Sequence, residues 1–169
     1  MAAAAPVTND ALKQLARDVL QRASAAKLRI STAESCTGGL IAAYLTEIEG
    51  CSHMVDGAVI CYSDAAKVKL LGLSPDLIAS EGAVSAAVAK AMVAHIREKS
   101  GSDLLLSITG YAGDAGPDDE AGLVHFAVMT ADGPVTHVAR HYGDIGREAT
   151  RARCLEDAFR MMLKEMEDA

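Results

Sequence analysis

At 169 residues, half of them hydrophobic but only 4% aromatic, the chain is long enough to bury a core in a single domain, and that core has to be built from Ala, Val, Leu, Ile and Met. A formal charge of −7 argues against a nucleic-acid-binding surface, so an anionic ligand has to be met by a local arrangement of Arg, Lys and helix N-termini. The opening MAAAAPV is too short for a signal-peptide core, no run approaches the roughly 18 apolar residues of a membrane span, and Cys36, Cys51, Cys61 and Cys154 show no CxxC spacing, so the expectation is a cytoplasmic protein with reduced thiols and no membrane partner.

The first element predicted is a helix over DALKQLARDVLQRASAAK, capped by Thr8 or Asn9, with Leu12, Leu15, Val19 and Leu20 at helical spacing. Strand LRIST follows, then a helix from about Thr37 to Glu47 that closes near Gly50. DGAVICY, 56–62, reads as a second strand, and SDAAKVKLLG as a short helix with Ser63 as N-cap and Gly72 as terminator. SPDLIASEG has room for one more turn. Ser85 caps a longer helix with Val88, Met92 and Ile96 on one face and Gly101 just past its end. DLLLSIT, 103–109, is the continuous apolar run of a strand buried on both faces. GLVHFAVMTADGPVTHVARHY predicts two antiparallel strands around an Asp-Gly turn, and REATRARCLEDAFRMMLKEME a last helix burying Leu155, Phe159, Met162, Leu163 and Met166. This alternation, followed by a hairpin, defines a three-layer α/β/α fold with a mixed sheet in one domain.

Three segments carry candidate chemistry. In LRISTAESCTGGL, 28–40, a β-type run breaks into hydroxyl side chains and Gly-Gly, which places Ser35 at a strand-to-helix junction beside the unpaired N–H groups of a helix start. The same pattern also suits an ordinary helix cap with glycines for close packing. In ICYSDAAK, 60–67, Tyr62 and Lys67 occupy the positions on either side of the Ser63 cap whose side chains meet in a hydrophobic staple. Either Tyr62 is half-buried and Lys67 snorkels to water, or Lys67 is a general base for Ser35 with Tyr62 able to relay the proton. An ordinary lysine, with a pKa near 10.4, is neutral in only about one molecule in a few thousand at pH 7. Lowering that value by roughly three units costs about 4 kcal/mol, which a buried, ligand-facing site can sustain. The third segment, SITGYAGDAGPDDEAG, 107–122, leaves a central strand into a long Gly-rich loop. Ser35, Tyr62 and Thr109 then all lie at carboxyl ends of strands, where parallel sheets bind ligands.

Other residues have plainer readings. Asp114, Asp118, Asp119 and Glu120 lack EF-hand spacing and a neighbouring His, and read as a solvated turn. His137 and His141, four apart on a strand, are separated by about 13 Å, so no metal is expected. Cys36 reads as a buried structural thiol. Arg147 and Arg151, one turn apart at the start of the last helix, either share a phosphate or form a solvated face.

TAESCTGG, the CYSDAAK block with its Tyr and Lys, the SITGYAG loop and the final GD…R…R helix together resemble the C-terminal domain of the CinA family, over about residues 8–166. That family includes stand-alone nicotinamide-nucleotide amidohydrolases, and its larger members carry a further N-terminal domain. The resemblance implies a mixed, mostly parallel five-stranded sheet, usually a homodimer, and a serine amidohydrolase that needs no metal or cofactor and converts nicotinamide mononucleotide and water into nicotinate mononucleotide and ammonia. It implies Ser35 as nucleophile and Lys67 with Tyr62 as its activating pair. The substrate-binding set is then Glu34, Thr37, Gly38, Gly39, Thr109, Gly110, Ala112, Gly113 and Arg147, with N–H groups near Thr37 to Gly39 facing the oxyanion and the 110–116 loop with Arg147 on the ribose phosphate. Two departures stand out: the family's SGIAGP loop has Thr109, Tyr111 and Asp114 in place of Ser, Ile and Pro, and its GDR run is opened to GDIGR. The competing expectation is a non-catalytic nucleotide- or phosphate-binding module with an accessory role in competence or DNA damage.

Overall fold

The computed structural model describes residues 6–113, 115–117 and 119–168. Helix α1 (Asn9–Ala26) starts at Thr8, whose hydroxyl accepts from the Ala11 N–H at 3.2 Å, so Thr8 is the cap. Strand β1 (Ile30–Glu34) leads to α2 (Leu40–Thr46), and β2 (Val55–Ile60) to α3 (Asp64–Ala66), which runs on as a wide π turn over Lys67–Leu71. Helices α4 (Pro75–Glu81) and α5 (Ala86–Ser100) precede β3 (Leu104–Gly110), β4 (Leu123–Thr130), β5 (Thr136–His141) and α6 (Arg147–Asp168).

The five strands form one sheet in the order β2-β1-β3-β4-β5, with β1 parallel to β2 and β3, and β4 antiparallel to both its neighbours. Four strands therefore run in one direction and β4 against them. Residues alternate between two cores, as a pleated sheet covered on both faces requires. Ile30, Leu104, Leu106, Ile108, Val124 and Phe126 face α1 and α6, where Leu12, Leu20, Leu155 and Phe159 are fully buried. Ala33, Leu105, Ala127 and Met129 face α5, against Val88, Met92, Val93 and Ile96. Each such large apolar side chain contributes roughly 1.5–3 kcal/mol by leaving water, and with so few aromatic residues it is the number of aliphatic contacts that holds the layers together.

Helix α2 departs from expectation by beginning at Leu40 instead of near Thr37. Gly38 and Gly39 sit at φ +63° and +94°, a left-handed geometry that interrupts a right-handed helix. The parallel trio β2-β1-β3 brings residues 35, 61–67 and 109–113 to one end of the sheet. The reversed β4 carries the chain away from that end and β5 returns it, so that α6 starts beside the same crevice.

Candidate active site

Five residues separate β1 from α2, and the side chain that organises them is the one preceding Ser35. Glu34 is fully buried. Its Oε2 accepts from Thr37 Oγ1 at 2.7 Å, Gly39 N at 3.0 Å and Ile41 N at 3.1 Å, and its Oε1 from Ala42 N at 2.9 Å and Thr32 Oγ1 at 3.2 Å. A carboxylate taken out of water has to be saturated with donors, and the positive end of α2 supplies them. Glu34 was expected among the substrate contacts; its carboxylate serves the helix start and is not among the residues that line the pocket. The N–H groups expected to face an oxyanion are engaged within the turn. The Gly39 N–H is held by Glu34 and the Gly38 N–H by the Ser35 carbonyl at 3.0 Å, and neither glycine nor Thr37 lines the pocket. Cys36 does line it, 4% exposed, which puts the residue after Ser35 at the site.

Ser35 is anchored by its N–H to the Ile108 carbonyl at 3.0 Å and is only 6% exposed. Lys67, from the neighbouring crossover, is 2% exposed and extends Nζ to 3.4 Å from Ser35 Oγ and 3.5 Å from the Tyr62 carbonyl oxygen. Asp64 Oδ1 lies 3.6 Å from the same nitrogen. Burial pushes the nearby Cys61 thiol up to about 11, so at neutral pH it brings no negative charge to the lysine. Local structure fixes Lys67 from both sides. The Ser63 hydroxyl caps α3 by accepting from Ala66 N at 3.1 Å, and Gly72, at φ +82°, closes the π turn with its N–H on the carbonyls of Lys67 and Val68.

Tyr62 is placed differently from the sequence expectation. Its carbonyl, not its phenol, meets the amine. The ring is 59% exposed and its hydroxyl accepts from Arg147 Nη2 at 3.0 Å. A residue just outside a helix cap points its side chain and its carbonyl in different directions, which spacing alone does not reveal. Tyr62 and Arg147 thus bridge the pocket mouth.

The third wall comes from the end of β3. Thr109 is buried and donates its hydroxyl to the Ala83 carbonyl at 2.7 Å, drawing the connection between α4 and α5 over the site. At Gly110 any Cβ would lie 2.8 Å from Leu123 O and from Val124 Cα, so the strand pair closes here only with glycine. The loop that follows is tied at its base by Tyr111 N–H to Leu123 O at 2.9 Å and Gly122 N–H to Tyr111 O at 3.0 Å. Tyr111 donates its hydroxyl to Asp119 at 2.6 Å, and that bond, with burial, pushes the phenol up to about 12. Gly113 runs beside Arg147, where a Cβ would approach Nη1 to 3.4 Å.

Together these segments enclose a cavity of about 230 Å³ lined by Ser35, Cys36, Tyr62, Asp64, Lys67, Ala83, Val84, residues 109–113 and Arg147. Pockets that swallow a whole small ligand usually run to roughly 300–1,000 Å³, so this one takes a flat ring or head group while the remainder of a ligand lies over the rim. Asp64, Ala83 and Val84 were not picked out from the sequence. Asp64 sits three residues before Lys67 on a short helix, a spacing that carries the signal in retrospect.

The two helix arginines are divided in task. Arg147 reaches the pocket, whereas Arg151 donates Nη2 to the Thr37 carbonyl at 2.6 Å and braces the serine turn from α6. Asp114 and Asp118 lie outside the described residues; Asp119 serves Tyr111 and Glu120 meets His141 Nδ1 at 2.7 Å. His137 pairs with His125 at 3.0 Å between ring nitrogens, and burial lowers the pKa of both.

A mixed sheet between helical layers, with a buried serine and lysine meeting at the carboxyl ends of its parallel strands, defines an α/β domain with the elements of a serine–lysine site. The chain belongs to the CinA C-terminal domain family, which its residues 12–166 match. It is 46% identical over 142 residues to a CinA-like protein of Mycobacterium sp. (strain JLS), covering 82% of this chain and 33% of that protein. The chain thus spans about a third of the length of the curated relatives it matches. Among solved structures it resembles the competence/damage inducible protein CihA from Agrobacterium tumefaciens, with a TM-score of 0.89 and 36% identity, covering 96% of this chain and 99% of that one. A competence or damage-inducible protein from Enterobacter asburiae superposes with a TM-score of 0.85 at 28% identity, over 92% of this chain and 98% of the other. Among the described residues no helix is long and apolar enough to cross a membrane.

Proposed function

We propose that this protein is a serine amidohydrolase that deamidates nicotinamide mononucleotide to nicotinate mononucleotide and ammonia. The observation that carries the reading is the Lys67 amine 3.4 Å from the Ser35 hydroxyl, the two residues both almost fully buried at the floor of the pocket. Contacts of this kind are commonly long without substrate and shorten when the reacting group enters.

Ser35 Oγ attacks the carboxamide carbon while its proton passes to Lys67, and the N–H of Cys36, a residue that lines the pocket, receives the developing oxyanion, the role of the residue after the nucleophile at a strand-to-helix turn. The tetrahedral adduct expels ammonia, which takes the proton from Lys67, and an acyl-serine remains. Lys67 then accepts a proton from water, the resulting hydroxide attacks the acyl carbon, and the proton returns to Ser35 as the acid leaves. The nicotinamide ring occupies the cavity. The ribose phosphate lies at its rim, where Arg147 supplies the positive charge that a chain of net −7 otherwise lacks.

Ammonia release from nicotinamide mononucleotide by the purified protein, with and without chelator, tests this directly. Absence of release overturns the proposal, and loss of release on chelation overturns its metal-independent form. Arg147→Ala is expected to raise KM about 10–100-fold with kcat changed far less, the effect of losing one charged hydrogen bond to phosphate. Nicotinamide riboside, which lacks the phosphate, should respond to the same substitution little or not at all. A kcat loss at constant KM would move Arg147 away from phosphate binding.

A further inference from the structure

We infer that Glu34 is a positioning residue for the Ser35 nucleophile. This rests on the reading of Ser35 given above and deepens it. The turn over residues 35–39 lies outside both the sheet and α2, so regular secondary structure does not fix it. Instead, Glu34 gathers the Thr37 hydroxyl and three N–H groups of the following segment from inside. Arg151 holds the Thr37 carbonyl from outside. Thr37 is thereby gripped at both its side chain and its main chain, two residues beyond the nucleophile, and the Ser35 N–H ties the start of the turn to β3. The lysine arrives on a different crossover, from β2. The Ser35–Lys67 distance is therefore set by how firmly this turn is held against the sheet. The carboxylate also occupies the positive end of α2, so a ligand phosphate finds that end already filled and is directed to Arg147.

Glutamine at position 34 keeps the shape but not the chemistry, because one of the two acceptor oxygens becomes an NH2 facing groups that are themselves donors. A helix cap that only stabilises would change the unfolding midpoint and leave turnover intact in folded protein. A substrate ligand would raise KM. A positioning residue lowers kcat at constant KM, and displacement of the nucleophile by a fraction of an ångström to an ångström is expected to cost about 10–100-fold.

The experiment measures steady-state deamidation by Glu34→Gln at a temperature where its unfolding curve shows it folded, together with the rate at which an alkyl fluorophosphonate labels Ser35. In that labelling the Ser35 oxygen bonds to phosphorus, fluoride leaves, and the serine proton passes to Lys67. The inference stands if kcat and the labelling rate fall together while KM holds. It is overturned if both match the wild type, or if KM rises with kcat unchanged. If Glu34→Gln does not fold, Thr37→Val takes its place: it removes one bond of the cluster and should slow labelling, with Thr37→Ser recovering most of the loss. Equal rates for the valine and serine variants overturn the inference. Wild-type protein that is labelled at Ser35 yet releases no ammonia from the mononucleotide refutes the substrate reading alone, and the labelling comparison still decides the role of Glu34. Wild-type protein that is not labelled at Ser35 overturns both.

Discussion

Ser35→Ala is expected to reduce ammonia release by about 10⁴-fold or more, the scale seen when an attacking oxygen is removed and only binding and oxyanion contacts remain. The fold should hardly notice. The alanine keeps the N–H bond to Ile108 that anchors the turn, and Lys67 keeps the Tyr62 carbonyl and Asp64 as partners. Loss of the one hydroxyl contact costs about 1 kcal/mol. Binding of the mononucleotide, followed by calorimetry, should survive. The wild-type protein, quenched during turnover, should carry a nicotinoyl-type acyl group on Ser35 by mass spectrometry, and the variant none. Turnover within tenfold of wild type would remove Ser35 from the chemistry.

Lys67→Met separates activity from stability in the opposite way. The methionine fills most of the volume of a side chain that is 2% exposed, and it removes a buried amine whose hydration was lost on folding. Replacement of buried ionisable groups by apolar ones of similar size is often neutral or stabilising by about 1–4 kcal/mol, so the thermal midpoint should stay level or rise. Turnover should nevertheless fall by about 10²–10⁴-fold, because among the described residues it is Lys67 that hydrogen-bonds the serine hydroxyl. Tyr62 does not substitute, since its phenol faces Arg147. A variant that is both less stable and fully active would mean that Lys67 is a structural residue. The pairing of higher stability with lost activity is the signature of a group retained for function.

The sheet, the two cores and the caps at Ser63 and Ser85 were legible in the sequence because each depends on local periodicity or on one hydroxyl three residues before the N–H that donates to it. The Ser35 and Lys67 segments were also legible, as strand ends feeding helices. What escaped was every feature in which a side chain and its own backbone part company. Glu34 was expected among the substrate contacts, yet its carboxylate caps a helix beginning six residues later, a reach that no capping motif describes. Tyr62 presents its carbonyl to the amine and its ring to solvent. The π turn that starts at Lys67 has no sequence signature, since it adds one residue to a helix whose ends, Ser63 and Gly72, are where the caps place them. Arg147 and Arg151 are equivalent on a helical wheel and diverge only because the serine turn offers the Thr37 carbonyl to one of them.

The tie between Tyr111 and the strand start at 122–123 has an evolutionary implication. Because the base of that loop is zipped onto the β3–β4 hairpin, its tip can gain or lose residues while the scaffold stays put; doubling the length of such a segment costs only about 0.6 kcal/mol in closure entropy. The tip can therefore be exchanged as an interchangeable part, retuning what enters beside the Ser35–Lys67 pair. Grafts between relatives at residues 112–121 are a practical route to altered selectivity.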